Sequence, residues 1–84
     1  MPRVSAQISL YPVRQPSMTP AIEEALEVFR RRGLDVTAGP MSTVVTGEDA
    51  QVLAALQEIY RINAERGPVV VNVTLSNACP VPDG

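Results

Sequence analysis

The side chains that most often carry out enzyme chemistry are scarce in this chain of 84 residues. It contains one cysteine, Cys79, and no histidine. A cysteine nucleophile would therefore lack its ordinary activating base, and zinc would lack an obvious set of ligands. Glu23, Glu24 and Glu27 are grouped early in a predicted helix, where they are explained as partners of the helix dipole. We therefore predict no catalytic residue, no metal and no cofactor, and hence a protein that is not an enzyme.

Three short clusters of hydroxyl, amide, phenol and thioether groups are not explained by the periodicity of helices or strands. Groups of these kinds recognise a heteroaromatic molecule by stacking and by directed hydrogen bonds. Two of the clusters leave a predicted strand and one forms a predicted hairpin. They are Ser9-Leu10-Tyr11-Pro12, Gly39-Pro40-Met41-Ser42-Thr43 and Leu75-Ser76-Asn77-Ala78-Cys79-Pro80.

Six regular elements are predicted to position these clusters. Alternation of apolar and polar residues predicts strands at residues 4–10 and 69–76. Two further strands are predicted at residues 34–38 and 42–46, joined in a tight hairpin by Gly39-Pro40-Met41. Apolar residues at helical spacing predict helices from about residue 20 to 32 and from about residue 47 to 66. The second helix is expected to begin with a capping box in Thr46-Gly47-Glu48-Asp49. Its inner side is expected to carry Val52, Leu53, Leu56, Ile59 and Tyr60.

The order of these elements is β-α-β-β-α-β. Two right-handed β-α-β crossovers that share one sheet give an α+β, ferredoxin-like sandwich, in which a four-stranded antiparallel sheet carries two helices on one face. We expect a single domain over residues 1–84, with residues 77–84 as an extended tail. We also expect strands one and three to be parallel neighbours, so that Tyr11 and the hairpin need not share one end of the sheet. The clusters would then meet only across a subunit interface.

The sheet face that the helices leave uncovered is predicted to be polar but nearly uncharged, with Asp35 as its single charge. Such a surface suits burial against another subunit or around a neutral-to-cationic ligand, because hydroxyls can be paired where charges are costly to desolvate. The residues alone leave both interpretations open. By alternation, this face includes Ser5, Gln7, Ser9, Tyr11, Asp35, Thr37, Val70, Asn72, Thr74 and Ser76, with Thr43 and Val45 expected from the third strand.

Length and composition bear on partners and location. A chain this short has a marginal hydrophobic core, and with one cysteine and no metal ligands it is expected to gain stability by self-association. A net charge of -2 and a pI near 4.9 give no electrostatic reason to expect nucleic acid. No apolar stretch approaches the roughly 20 residues that span a membrane. The lone thiol and the lack of a targeting segment indicate the cytoplasm.

At the three clusters, the chain resembles the small thiamine-binding protein family. These proteins are stand-alone relatives of a tandem-repeat protein that binds thiamine and its hydroxymethylpyrimidine moiety. The resemblance extends from Val4 to Pro82 and is carried by Ser9-Leu10-Tyr11-Pro12, Gly39-Pro40-Met41-Ser42-Thr43 and Ser76-Asn77-Ala78-Cys79-Pro80. It implies a ferredoxin-like fold, a homotetramer built as a dimer of dimers, and non-catalytic binding of thiamine (vitamin B1) or a pyrimidine precursor in the cytoplasm.

Within that resemblance, we expect the aminopyrimidine ring to lie against an aromatic or thioether side chain while hydroxyls and an amide bond its nitrogens. A carboxylate, Glu27 or Asp35, would balance the thiazolium charge. The predicted ligand-binding residues are Ser9, Tyr11, Met41, Ser42, Thr43 and Asn77.

Two other functions remain as alternatives. The first is an ACT-like regulatory or purely structural module, whose sheet face makes subunit contacts and whose ligand is an amino acid or nothing. The second is an enzyme that uses Cys79, which replacement of that cysteine by serine would distinguish from a binding module.

Overall fold

The elements follow the predicted order β-α-β-β-α-β. A computed structural model describes residues 3–13, 19–39 and 42–78. Within these residues, no helix is long and apolar enough to cross a membrane. The elements are β1 (Arg3–Pro12), α1 (Thr19–Arg31), β2 (Asp35–Ala38), β3 (Thr43–Glu48), α2 (Asp49–Arg66) and β4 (Val69–Ser76).

The sheet has four strands in the order β2-β3-β1-β4, and every neighbouring pair is antiparallel. The predicted fold class is therefore confirmed. The expectation that strands one and three are parallel is wrong, because β3 lies between β1 and β2 and runs against both. Each β-α-β crossover joins parallel strands that are separated by one antiparallel strand.

The hydrophobic core lies between the helices and one face of the sheet. On β1, the alternate residues Val4, Ala6, Ile8 and Leu10 are buried, as the alternation predicts. The helices contribute further buried side chains, of which Phe29 of α1 is among the largest. Because β1 is a central strand, its alternation fixes which of its residues face the helices and which face away.

The predicted capping box at Thr46 is wrong. β3 continues through Thr46 to Glu48, and α2 begins only at Asp49. Thr46 is buried, and its hydroxyl lies 3.4 Å from the hydroxyl of Ser5. Glu48 occupies the cap position without a side-chain cap bond. Thr46 is therefore paired with β1 on one side and β2 on the other, and it does not cap the helix.

The buried face of α2 covers a narrower arc of the helix than the sequence predicts. Val52 and Ile59 are buried as expected, but Leu53 and Tyr60 are 51% and 55% exposed. These two residues lie about 80–100° around the helix from Val52, at 100° per residue. Ala55 and Asn63 complete the buried face instead.

Ion pairs join the two helices along their length. Glu58 of α2 accepts hydrogen bonds from Arg31 and Arg32, each with a shortest N–O distance of 2.8 Å. Near the other end, Arg66 donates to both oxygens of Glu24, at 2.5 and 2.8 Å. The hydrogen bonds from arginine hold the pKa values of Glu58 and Glu24 below the usual glutamate value. Arg31 and Arg32, two of three consecutive arginines at residues 30–32, thus bind the neighbouring helix.

We expect Glu58→Gln to lower the melting temperature at neutral pH and to have a diminishing effect in acid. A carboxyl whose pKa is lowered by folding stabilises the native state above its unfolded pKa, about 4.3, and loses that contribution as the pH falls through the folded value. Thermal unfolding of both proteins from about pH 7 to about pH 3 checks this. Glu23→Gln, at an exposed position of α1, is the control. A difference between wild type and Glu58→Gln that is constant with pH would contradict the account.

Gly47 of β3 makes room for a core side chain. It lies directly opposite Val4, on the face covered by the helices. A Cβ built at Gly47 would overlap Cδ2 of Leu34, which is itself buried. The absence of a side chain at this position therefore lets Leu34 pack against the sheet.

We expect Gly47→Ala to destabilise the protein by about 1–2 kcal/mol through overpacking. In a Leu34→Ala background the same change should cost much less, because the overlapping methyl group is gone. Denaturant unfolding of the four proteins in this cycle measures the coupling. Gly67→Ala is the control, since its cost comes from a backbone φ of 148° and should not depend on Leu34. Additive effects of Gly47→Ala and Leu34→Ala would contradict the contact.

Candidate functional site

The face of the sheet that the helices do not cover is termed here the open face. Directly paired residues of antiparallel strands share a face, so the strand register assigns its members. All ten residues predicted by alternation lie on it, but Thr43 and Val45 do not, because they pair with the buried residues Ile8 and Ala6. The open face consists of Arg3, Ser5, Gln7, Ser9 and Tyr11 of β1, Asp35 and Thr37 of β2, Val44, Thr46 and Glu48 of β3, and Val70, Asn72, Thr74 and Ser76 of β4.

Three of the predicted ligand-binding residues meet at one end of the open face. Ile8 pairs with Thr43, so the end of β1 lies beside the start of β3 and the connection from β2. Ser9 and Tyr11 are therefore at the same end as Ser42. We call this region the hairpin end. The antiparallel pairing thus brings together two clusters that the parallel arrangement would have left apart.

Gln7 was not predicted as a site residue, yet it reaches into the hairpin end. Its Nε2 donates to Oγ of Ser42 at 3.2 Å. Asn72 was also missed, and it lies opposite Ser9 on β4. Alternation had placed both amides on the open face, but only the register shows that they neighbour Ser9 and Ser42.

An apolar corner borders these polar groups. Tyr11 pairs with Val70 of β4, and their side chains are 41% and 47% exposed. A phenol ring beside an exposed valine offers an apolar surface to a planar ligand, with hydroxyl and amide groups one row away. The hairpin end therefore combines a stacking surface with donors and acceptors.

The other predicted site residues lie elsewhere or outside the described residues. Asn77 follows β4 at the far end of the sheet, since Ser76 pairs with Ser5. Thr43 pairs with Ile8, so its side chain is on the helix side of the sheet. Met41 lies outside the residues that the structure describes.

Neither of the two carboxylates considered for charge balance lies at the hairpin end. Asp35 is in the row of Ser5 and Thr46, and its Oδ2 is 3.4 Å from Nη2 of Arg3. Arg3 and its directly paired residue Glu48 thus add two further charges to the far end of the open face. Glu27 is an exposed residue of α1, in the helix layer. Among the described residues, no group of three or more histidine, cysteine, aspartate or glutamate side chains could hold a metal ion.

A shallow depression of about 250 Å³ lies on the outer surface of the helices, away from the open face. It is lined mainly by charged or polar side chains of α2 and by Arg32, which already bonds Glu58. None of the predicted site residues lines it. We favour the hairpin end because its groups suit a heteroaromatic ligand and the depression's paired charges do not.

Comparisons with solved structures agree with this fold. A hypothetical protein from Methanocaldococcus jannaschii is 27% identical, with a TM-score of 0.82 over 90% of this chain and 80% of that one. A Streptococcus pneumoniae protein is 18% identical, with a TM-score of 0.77 over 88% and 84%. A Thermotoga maritima protein, assigned provisionally to thiamine biosynthesis or salvage, is 22% identical, with a TM-score of 0.74 over 88% and 82%. No curated protein matches the sequence.

The sequence profile of one family covers most of the chain. It is described as thiamine-binding protein, and it matches residues 6–76. The matched segment runs from Ala6 in β1 to the end of β4, and so includes both helices and the open face except Arg3 and Ser5. This chain belongs to the thiamine-binding protein family.

Proposed function

We propose that this protein binds thiamine or its hydroxymethylpyrimidine moiety at the hairpin end of the open face, without changing it chemically. The observation that carries the proposal is the convergence of Ser9, Tyr11 and Ser42 on an uncharged part of the sheet. Membership of the thiamine-binding family supports the class of ligand. In keeping with its lone thiol, we propose that the protein works in the cytoplasm.

The groups at the hairpin end match the hydrogen-bonding pattern of an aminopyrimidine. The ring nitrogens need donors and the exocyclic amino group needs an acceptor. Serine hydroxyls at positions 9 and 42 can serve as either, and the amides of Gln7 and Asn72 supply both. In this proposal, the ring stacks on Tyr11 while these side chains fix its orientation.

The thiazolium charge of thiamine requires no carboxylate in this arrangement. The face of an aromatic ring attracts a cation, and Tyr11 is exposed at the border of the site. Because the polar groups around it are neutral, they can be desolvated at lower cost than charges. In place of Glu27 and Asp35, we propose cation–π contact between the thiazolium and the part of the Tyr11 ring that the pyrimidine leaves uncovered.

The proposal contains no chemical step. The groups that converge at the hairpin end are hydroxyls, amides and a phenol, which can orient a ligand. A serine nucleophile needs a base within hydrogen-bond reach, and the described partner of Ser42 is the amide of Gln7, which is not a base. The site is thus proposed to hold and release an unchanged molecule.

We expect thermal unfolding to shift upward with thiamine and with hydroxymethylpyrimidine, but not with hydroxyethylthiazole alone. A ligand at about a hundred times its dissociation constant adds about 2.7 kcal/mol to the native state, which corresponds to several degrees for a small domain. A panel of amino acids tests the ACT-like alternative in the same experiment. The proposal would be contradicted if only an amino acid raised the melting temperature. It would also be contradicted if none of the compounds raised it.

We expect Ser9→Ala and Tyr11→Ala each to weaken binding of the pyrimidine by about tenfold, the loss of about 1.4 kcal/mol in a hydrogen bond or stacking contact. Isothermal titration calorimetry measures the affinities. Ser5→Ala is the matched control, because Ser5 lies on the same strand and face but about 13 Å from Ser9. Equal losses in Ser5→Ala and Ser9→Ala would place the ligand away from the hairpin end.

A further inference from the structure

The polar groups of the open face are of two kinds, and the two kinds lie at opposite ends. A guanidinium only donates hydrogen bonds and a carboxylate only accepts them, so the polarity of each is fixed. The described groups of fixed polarity on this face are Arg3, Asp35 and Glu48, which belong to the two rows at the far end. From the row of Gln7 to the hairpin end, every described polar side chain is a hydroxyl or a primary amide.

Hydroxyls and primary amides can reverse their roles in a hydrogen bond. A hydroxyl both donates and accepts, and its hydrogen rotates to suit the partner. A primary amide presents a carbonyl oxygen on one side and an amino group on the other, and a half turn exchanges them. Ser9, Ser42, Gln7 and Asn72 can therefore each face either a donor or an acceptor on a ligand.

The hydrogen bond between Gln7 and Ser42 leaves this freedom intact. Nε2 of Gln7 donates to Oγ of Ser42 at 3.2 Å. If the amide turns over, the serine hydroxyl can donate to the amide oxygen instead, so the two residues remain bonded. Neither side chain has another hydrogen bond within the part of the chain that the structure describes. No other described bond therefore fixes the orientation of this amide.

Backbone groups do have a fixed polarity, but those of the central strand are already used. β1 pairs with β3 on one side and with β4 on the other. Beside the hairpin, the backbone nitrogen of Gly39 donates to the backbone oxygen of Ser42 at 2.8 Å. A ligand above the middle of the sheet therefore meets side chains of reversible polarity.

We propose that the hairpin end accepts 4-oxopyrimidines as well as 4-aminopyrimidines, an inference that rests on the proposed function. An aminopyrimidine presents an acceptor at ring nitrogen 3 beside a donor at its amino group. The neutral 4-oxo counterpart presents a donor at that nitrogen beside an acceptor at its oxygen. A site of fixed polarity rejects the reversed pattern, because its own polar groups are left unpaired. Here, rotation of the Ser42 hydroxyl and a half turn of the Gln7 amide restore both bonds.

The ligand class is therefore set by shape and by adjacency. It comprises planar, uncharged six-membered heteroaromatic rings that carry a donor next to an acceptor, in either order. The ring stacks on Tyr11 in both cases, because stacking does not depend on the order of the polar groups. The site thus does not distinguish the ring of thiamine from a counterpart whose amino group is replaced by oxygen.

Isothermal titration calorimetry of the full chain with hydroxymethylpyrimidine and with its 4-oxo counterpart tests this inference. A mildly alkaline buffer keeps both probes uncharged. We expect dissociation constants that differ by less than about tenfold, the equivalent of one hydrogen bond. A larger difference in either direction would overturn the inference and leave the proposed function in place. If neither compound bound, the proposed function would fail and the inference with it.

Gln7→Glu supplies the fixed polarity that the wild type lacks. A carboxylate only accepts, so we expect this variant to bind the amino compound at least about tenfold more tightly than the oxo compound. Thr37→Glu is the matched control, because it adds the same charge to the same row, two strands and about 10 Å from Gln7. Both positions are exposed, so neither change disturbs the core. The inference would be overturned if Gln7→Glu kept the wild-type ratio of affinities, since Gln7 would then not contact the ring.

Discussion

The register of β1 between β3 and β4 is the constraint on which the rest of the structure depends. Burial of alternate residues from Val4 to Leu10 against the helices fixes that register, because a slip by one residue would turn the apolar set outward. The same register fixes what the other face displays. Ser9 and Tyr11 point away from the helices because Ile8 and Leu10 point toward them. Packing of the hydrophobic core thereby sets the position of Ser9 and Tyr11, although their side chains lie on the opposite face of the sheet.

Antiparallel pairing also decides which clusters meet. The end of β1 lies beside the start of β3, so Ser9, Tyr11 and Ser42 share the hairpin end. The end of β4 lies beside the start of β1, so Asn77 is left at the other end.

Much of this arrangement could be predicted from the sequence, and the errors have physical causes. The strand β1 follows from strong alternation of apolar and polar residues. The ends of the two helices follow from Gly33 and Gly67, which have the positive φ that stops a helix. The sequence could not predict which side chains of β3 lie on the open face and which on the helix side. The reason is that residues 43–46 are all β-branched and show no alternation of apolar and polar types. The capping box failed because local capping of Thr46 competes with pairing to two neighbouring strands. The prediction that Leu53 and Tyr60 lie on the inner side of α2 is wrong because both are apolar residues near its buried face. A sequence pattern does not show whether another element of the fold covers them.

The central claim is that a pyrimidine lies on the open face at the hairpin end. Titration of the isotope-labelled protein with hydroxymethylpyrimidine, followed by amide chemical shifts, tests it most directly. The account predicts that the largest shifts fall at Ser9, Tyr11, Ser42 and Asn72. Saturable shifts confined to the outer surface of α2, around Gln57 and Arg61, would contradict it, as would the absence of any saturable shift.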